Sequence, residues 1–396
     1  MKSEKHLQKK KEIINTAFRV WNQNCYFSTS LNDIAGSLNI TKQAIYRYFK
    51  SKKELIYAME DQIISDYREN SAKIIKIIET LPMERAVEAY VMNQISFFRK
   101  HKEYLMFLIS IVRLKDNDTK EFQSILLKQN EFLQKKLSLP LSAVNYVLNI
   151  IVFYLLKGER ESIEKLTDKI CNIFENGFAS ELLTSPVNID AILAETRIPV
   201  NEENENNRVL KAISEVVMED GPQASLGKIA KKAGMSKSSL YFYFKNKEEM
   251  IINTMHNETE KFVNYYYEKV SSYDEIGEQL FAHFVISASM TIERPKTVHM
   301  IHWFITRGMA ENFSKPTDFK KYRVFFENAA NYKYINTHGV TADQLLMLVN
   351  FCITYEINNI QRKELNKEDK YKLVYGLYDL FTHGLKGLKK KKTATV

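Results

Sequence analysis

A 27-residue segment that occurs twice constrains this chain more than any other feature. Residues 30–56 read SLNDIAGSLNITKQAIYRYFKSKKELI and residues 225–251 read SLGKIAKKAGMSKSSLYFYFKNKEEMI, aligned without a gap at an offset of 195 with 12 identities. In a chain of 396 residues, a period this long is a whole fold unit, so the chain divides into two similar but non-identical halves. The stretch before each segment belongs to the repeat too, because Ile14, Ala17, Phe18 and Trp21 align with Val209, Ala212, Ile213 and Val216.

Each segment is patterned as a helix-turn-helix. In the first, Ser30 can cap a short helix whose Leu31, Ile34, Ala35 and Leu38 share one face. Asn39 supplies the left-handed residue of the turn, and Gly234 stands at the same place in the second copy. Thr41 and Ser236 then cap a second helix that turns Ile45 and Phe49, or Leu240 and Phe244, inward at i and i+4. The opposite face holds Lys42, Gln43, Tyr46 and Arg47 in one copy and Lys237, Ser238, Tyr241 and Phe242 in the other. Cations, an amide or hydroxyl, and tyrosines on a helix of this kind suit a DNA major groove flanked by phosphates. Gln43 can pair bidentately with adenine and Lys42 can contact guanine, whereas Ser238 and Ser239 are shorter. The second copy is therefore expected to read a different sequence, or less of one. Lys52 and Lys247 open the next helix, where an ammonium and a positive helix end can together hold a phosphate.

These residues resemble the TetR family of bacterial transcriptional regulators. The likeness rests on Ile34-Ala35, Thr41, Ile45-Tyr46, Tyr48-Phe49-Lys50 and Lys52-Lys53-Glu54-Leu55. It recurs in Ile229-Ala230, Ala233-Gly234-Met235-Ser236, Leu240-Tyr241, Tyr243-Phe244-Lys245 and Asn246-Lys247-Glu248-Glu249-Met250. The resemblance implies that Tyr48 and Tyr243 reach phosphates. It also implies that a ligand in the C-terminal bundle tilts the helix starting near Ser51 or Asn246, and that units pair as homodimers. Fusion of two units in one chain departs from that pattern.

The repeat continues downstream: Leu166, Ile170, Ile173, Phe174 and Gly177 align with Leu373, Leu377, Leu380, Phe381 and Gly384 at an offset of 207. Long stretches without Gly or Pro, from Ser51 to Leu81 and from Asn246 to Ile276, read as helix. The expected fold class is all-α: two tandem TetR-like helical units, each a three-helix helix-turn-helix domain followed by a helical bundle. The expected boundaries are helix-turn-helix domains at 1–56 and 207–251, bundles at 57–185 and 252–388, a linker at 186–206 and a basic tail at 389–396. Pro186, Pro199 and the acidic NEENENN run at 201–207 mark the linker. From Ser185 to Asn207 it spans at most ~70 Å extended, or ~50 Å if Ile189 to Glu195 coils, which allows the halves to pair within one chain.

A net charge of +9 favours an anionic partner. Residues 1–56 carry 11 Lys/Arg against 4 Asp/Glu and residues 208–250 carry 8 against 5, so the first reader is the more basic. Lys9-Lys10-Lys11 stands where an arm ahead of the first helix could reach phosphate, with a solvated terminus as the equal alternative. Cys25, Cys171 and Cys352 are too few and scattered for a disulfide framework, which with the absence of a signal-peptide core points to the cytoplasm. No nucleophile motif or phosphate loop is present, so no enzyme activity and no cofactor are expected. His299 and His302 lack a carboxylate or thiol beside them and are read as structural or pocket-lining residues, not metal ligands. His283, Phe284, Met300, His302 and Trp303 have the composition of a pocket for a small hydrophobic or aromatic ligand, against the alternative of ordinary helix core. Phe97, Phe98, Tyr104 and Phe107 pose the same choice in the first half.

The expected DNA-contact set is Thr41, Lys42, Gln43, Tyr46, Arg47, Tyr48, Lys52, Ser236, Lys237, Ser238, Tyr241, Tyr243 and Lys247. The expected function is that of a ligand-responsive repressor acting on double-stranded operator DNA, as an intramolecular pseudo-dimer or a homodimer. The alternative is an interaction or scaffold protein whose second helix-turn-helix no longer binds DNA.

Overall fold

The computed structural model describes residues 4–24, 29–111, 120–158, 160–183, 187–198, 205–220, 225–243, 245, 247–295, 297–298, 319–331, 333–359 and 364–394. Among them the chain is helical, and an isolated bridge pairs Ala179 with Ile335. No single described helix is long and apolar enough to cross a membrane. The chain forms two compact units, one built on Met1–Leu139 and the other beginning at Pro140, so the division falls ahead of the sequence repeat.

The first unit opens with α1 (Glu4–Asn24), α2 (Leu31–Ser37) and α3 (Lys42–Tyr46). Lys9 to Lys11 lie inside α1 and not in an arm ahead of it; Lys9 pairs with Glu12 at 2.8 Å. α4 (Lys52–Thr80) runs for 29 residues with Leu55, Met59, Ile63, Tyr67, Ile74 and Ile78 buried along one face. Ser51 caps it by accepting the Glu54 N–H, and the Glu54 carboxylate accepts the Lys50 N–H at 2.5 Å, so both ends of this small motif satisfy helix-start donors. α4 packs against α1, against α5 (Met83–Lys100) and against α7 (Lys120–Leu137), while α6 (Lys102–Ile111) covers α1.

The second unit contains helices from both halves of the sequence. α8 (Leu141–Lys157) and α9 (Ile163–Asn176) come from the first half, followed by α10 (Ile189–Glu195). The second half supplies α11 (Glu205–Asp220), α12 (Leu226–Lys232), α13 (Lys237–Tyr243), α14 (Lys247–Val270) and α15 (Ile276–Glu293). It continues with α16 (Phe319–Asn331), α17 (Ala342–Asn358) and α18 (Lys367–Ala394), the last interrupted at Gly384. The expected unbroken helix to Ile276 stops at Val270. Ser271, Ser272 and Asp274 form a turn there, in which Ser272 Oγ donates to the Lys269 carbonyl, a side-chain competition that needs no Gly or Pro.

α8 and α9 pack on α17 and α18, joining the two halves in one bundle. Gly177 and Gly384, which align in the repeat, meet reciprocal backbone. A Cβ on Gly177 would lie 2.2 Å from the Thr382 carbonyl oxygen, and one on Gly384 would lie 2.6 Å from the Glu175 carbonyl. The pairs 177/384 and 175/382 each differ by 207, so residue i of one half meets residue j of the other and j meets i. This is the signature of an isologous two-fold contact, here between unequal halves of one chain. The Phe178 and Ala179 N–H groups donate to the Phe381 and Thr382 carbonyls at 2.7 and 2.9 Å, and the Phe178 ring stacks on Phe381 with centres 4.7 Å apart.

The stretch between the halves is partly docked. Ile192 and Ile198 are buried, and α10 packs on α15. Arg197 forks onto both oxygens of Glu368 at 2.7 and 2.9 Å and lies 4.1 Å from the centre of the Tyr371 ring. The last three residues of NEENENN begin α11, and residues 201–204 lie outside the described residues.

Candidate nucleic-acid interface

The helix-turn-helix geometry follows from local chemistry in both readers. Asn39 and Gly234 adopt φ of +52° and +66°, the left-handed turn that lets α2 and α12 end and the next helix start within a few residues. Thr41 Oγ1 accepts the Ala44 N–H at 3.2 Å, and Ser236 Oγ accepts the Ser239 N–H at 2.9 Å. Ser30 and Asp33 close a reciprocal capping box on α2, where the Ser30 N–H and hydroxyl hold the Asp33 carboxyl below its usual range. Ile34, Ala35, Ile45 and Phe49 are buried, as are Ile229, Ala230 and Leu240. Each reading helix is thereby fixed with its other face outward.

That outward face carries what the sequence placed there. Lys42, Gln43 and Arg47 are exposed, Tyr46 is 44% exposed, and Tyr48 is half-buried. In the second reader Ser236, Lys237 and Ser238 are exposed and Tyr241 is 48% exposed. Both helices repeat one detail: Lys42 lies 5.8 Å from the centre of the Tyr46 ring and Lys237 lies 5.7 Å from that of Tyr241. A cation held over an i+4 ring is pre-ordered, which lowers the entropy lost when a phosphate or base edge arrives. The side chains of Tyr243 and Lys247 lie outside the described residues.

α1 adds two contacts that the sequence pattern did not single out. His6 stacks on Tyr48 with ring centres 4.7 Å apart, and the Lys10 ammonium lies 5.1 Å from the centre of the Phe49 ring. The basic run thus braces the C-terminal end of the reading helix from the side. Its register explains why: Lys10 stands four residues after His6 and four before Ile14 on α1, on the same side of that helix and not on a free strand of chain. Lys52 is engaged differently. Its ammonium donates to the Thr29 carbonyl at 2.5 Å, sits 5.8 Å from the Trp21 ring centre, and is half-buried, so desolvation lowers its pKa. It ties the segment ahead of α2 to the start of α4.

The candidate ligand residues of the second half divide. His283 and Phe284 are fully buried in α15; Met300, His302 and Trp303 lie outside the described residues. His283 Nδ1 is 3.2 Å from the Tyr266 hydroxyl, and its ring meets Tyr266 and Phe326 edge-on. Burial drives its pKa down to about 3. Because the unfolded chain protonates this imidazole near pH 6.5 and the folded chain does not, acid favours unfolding throughout the window between those values. We expect stability to fall by about 1.4 kcal/mol per pH unit below about pH 6 from this group. His283→Gln should flatten that part of the acid limb in urea titrations at stepped pH; an unchanged slope would show that His283 does not carry it.

In the first unit a buried polar centre accompanies the aromatic residues. The Tyr67 hydroxyl lies 3.1 Å from Gln94 Oε1 and 2.7 Å from Gln129 Oε1, joining α4, α5 and α7, with Phe97 edge-on to the Tyr67 ring. One hydroxyl has one proton to give, so it cannot donate fully to both amides. Among the described residues, Gln94 Nε2 and Gln129 Nε2 are buried with no hydrogen-bond partner. The sequence signal was available: Gln94 interrupts the apolar face of Tyr90, Val91, Phe97 and Phe98. A polar residue on such a face asks for a buried partner.

Residues 13–59 and 209–253 match the family described as bacterial regulatory proteins, tetR family. The uncharacterized HTH-type transcriptional regulator YerO of Bacillus subtilis (strain 168) is 26% identical over 103 residues, which are 26% of this chain and 36% of that protein. The fatty acid metabolism regulator protein of the same organism is 37% identical over 57 residues, 14% of this chain and 29% of that protein. The chain therefore spans about a third of the length of these curated relatives. A TetR family transcription regulator from Marinobacter aquaeolei VT8, known from a crystal structure, is 19% identical, with 44% of this chain and 94% of that chain covered and a TM-score of 0.32.

Proposed function

We propose, from the two matches to the tetR family at residues 13–59 and 209–253, that the chain is a transcriptional repressor that binds operator DNA as an intramolecular pseudo-dimer, each half supplying one reader. The observation that carries this reading is the reciprocal meeting of Gly177 with Thr382 and of Gly384 with Glu175 inside one bundle. A homodimer joins two equal surfaces; here the same kind of contact is already made between the two halves of a single chain. In the first reader Thr41, Lys42, Gln43, Tyr46, Arg47 and Tyr48 meet DNA. In the second, Ser236, Lys237, Ser238, Tyr241, Tyr243 and Lys247 do so.

The readers differ, so the operator should differ between its halves. Gln43 offers a bidentate amide where the second reader offers the Ser238 hydroxyl, and α1 is basic where the start of α11 is acidic. Selection from a random DNA pool is expected to return two unlike half-sites, with centres about one helical turn or a multiple of it apart. A symmetric palindrome would count against the reading.

Ligand response is the finer part of the proposal. Tyr67 lies on the same rigid helix whose first turn, Ser51 to Glu54, adjoins the first reader. A ligand with an aromatic surface and a hydrogen-bond acceptor would accept from the amides of Gln94 and Gln129, which have no partner among the described residues, and bias the position of α4. Such a ligand acts only if it binds one position of that helix better than the other.

A further inference from the structure

The bundle that joins the halves contains a buried polar contact with no counterpart across its pseudo-two-fold. Glu356 on α17 is fully buried; its Oε1 accepts from Ser142 Oγ and its Oε2 accepts from Asn145 Nδ2, each at 2.8 Å, both donors lying on α8. α8 and α17 are equivalent helices of the two halves. Asn149 and Tyr154 align with Asn350 and Tyr355 at an offset of 201, and Leu141–Lys157 then falls on Ala342–Asn358 end to end. In that register Asn145 corresponds to Leu346 and Glu356 corresponds to Leu155, both leucines being buried. The symmetry mate of the Asn145–Glu356 contact is therefore Leu346–Leu155, polar on one side and apolar on the other, while Ser142 corresponds to the exposed Asp343, which pairs with Arg323 at 3.3 Å.

Resting on the pseudo-dimer reading above, we propose that Glu356 with Asn145 and Ser142 is a pairing lock that makes the first half accept the second half and makes the second half reject another copy of itself. If two second halves met through this surface, each Glu356 would face Leu346 of the other copy, which has no donor to offer. Two carboxyl groups would be buried against methyl groups. If two first halves met, each Asn145 would face Leu155, stranding two amides. Only the unlike pairing matches donors with acceptors on one side and leucine with leucine on the other. A buried polar contact of this sort adds little net stability but penalises wrong partners heavily. The lock would keep one reader of each kind on every assembly, which an operator with unlike half-sites requires.

The test uses the full-length chain and three variants, Asn145→Leu, Glu356→Leu and the double variant, followed by urea midpoint and by native mass over a wide range of protein concentration. The wild type is expected to keep the mass of one chain throughout. Asn145→Leu should have the lowest midpoint of the four proteins, because Glu356 then faces leucine. The double variant should regain a midpoint above that of Asn145→Leu, since both sides of the joint are then apolar, and should form a twofold mass as concentration rises. Rescue of the midpoint keeps the test decisive even if Asn145→Leu does not fold. A stable double variant that stays at the mass of one chain at every concentration would overturn the lock while leaving the pseudo-dimer reading intact. A wild type that already runs at twofold mass would overturn the pseudo-dimer reading and the lock with it.

Discussion

Gly177→Ala and Gly384→Ala are each expected to destabilise the joined bundle by about 2 to 6 kcal/mol. Two costs add. Both glycines combine positive φ with extended ψ, Gly177 near +73° and −164° and Gly384 near +59° and −150°, a region open essentially to glycine alone. Each new methyl would also sit within 2.6 Å of the backbone of the other half, which has no flexible side chain to swing away. Gly158→Ala provides the control. Gly158 has φ +77° as the cap of α8, but nothing lies within 4 Å of its Cβ position, so it should cost about 1 to 2 kcal/mol. Urea denaturation of the three variants separates the two contributions; equal losses in all three would remove close helix approach from the account. On the pseudo-dimer reading, loss of the joint should also cost operator affinity.

Lys42→Ala with Gln43→Ala is expected to lower affinity for the preferred operator by about thirtyfold to ten-thousandfold, at about 1 to 3 kcal/mol for each of the two lost base contacts. Both side chains are exposed and cap nothing, so the urea midpoint should hold. Ser238→Ala in the second reader should lose less, because a single hydroxyl bond is surrendered. Lys52→Ala is a contrasting case. With its ammonium on the Thr29 carbonyl, its removal should cost about 1.5 kcal/mol of stability. If Lys52 also meets a phosphate, the slope of log affinity against log salt should shrink by about 0.9. Gel-shift titrations at several salt concentrations, beside denaturation curves, read both effects. Unchanged operator affinity in the Lys42/Gln43 variant would remove that face from the DNA contact.

The readers were legible in the sequence because their determinants are local. Ser30, Asn39, Thr41 and Ser51 act on backbone groups within four residues, and Ile45 with Phe49 sets the inward face by simple helical spacing. The repeat itself told which residues are equivalent. What it could not tell is which equivalents touch: Gly177 and Gly384 aligned visibly, yet their approach to Thr382 and Glu175 depends on packing between segments some 200 residues apart. The coil at Ile189 to Glu195 was foreseen as an option, but its docking through Ile192 and Arg197 was not, since Glu368 lies far along the chain. Lys9 to Lys11 were misplaced as an arm because nothing in their composition opposes helix, and α1 begins at Glu4. Glu356 gave no signal either. One acidic residue at the end of an apolar helix reads as exposed until Ser142 and Asn145 are brought to it.

The most direct measurement of the central claim is the native mass of the complex with a selected operator. If one chain supplies both readers, the complex should contain one protein of 46.4 kDa per operator duplex, and hydroxyl-radical footprints should show two protected half-turns that are each lost when Lys42/Gln43 or Lys237/Tyr241 is replaced. Two chains on one duplex, with both half-sites lost together on replacing Lys42 and Gln43 and neither affected by changes at Lys237 and Tyr241, would contradict it.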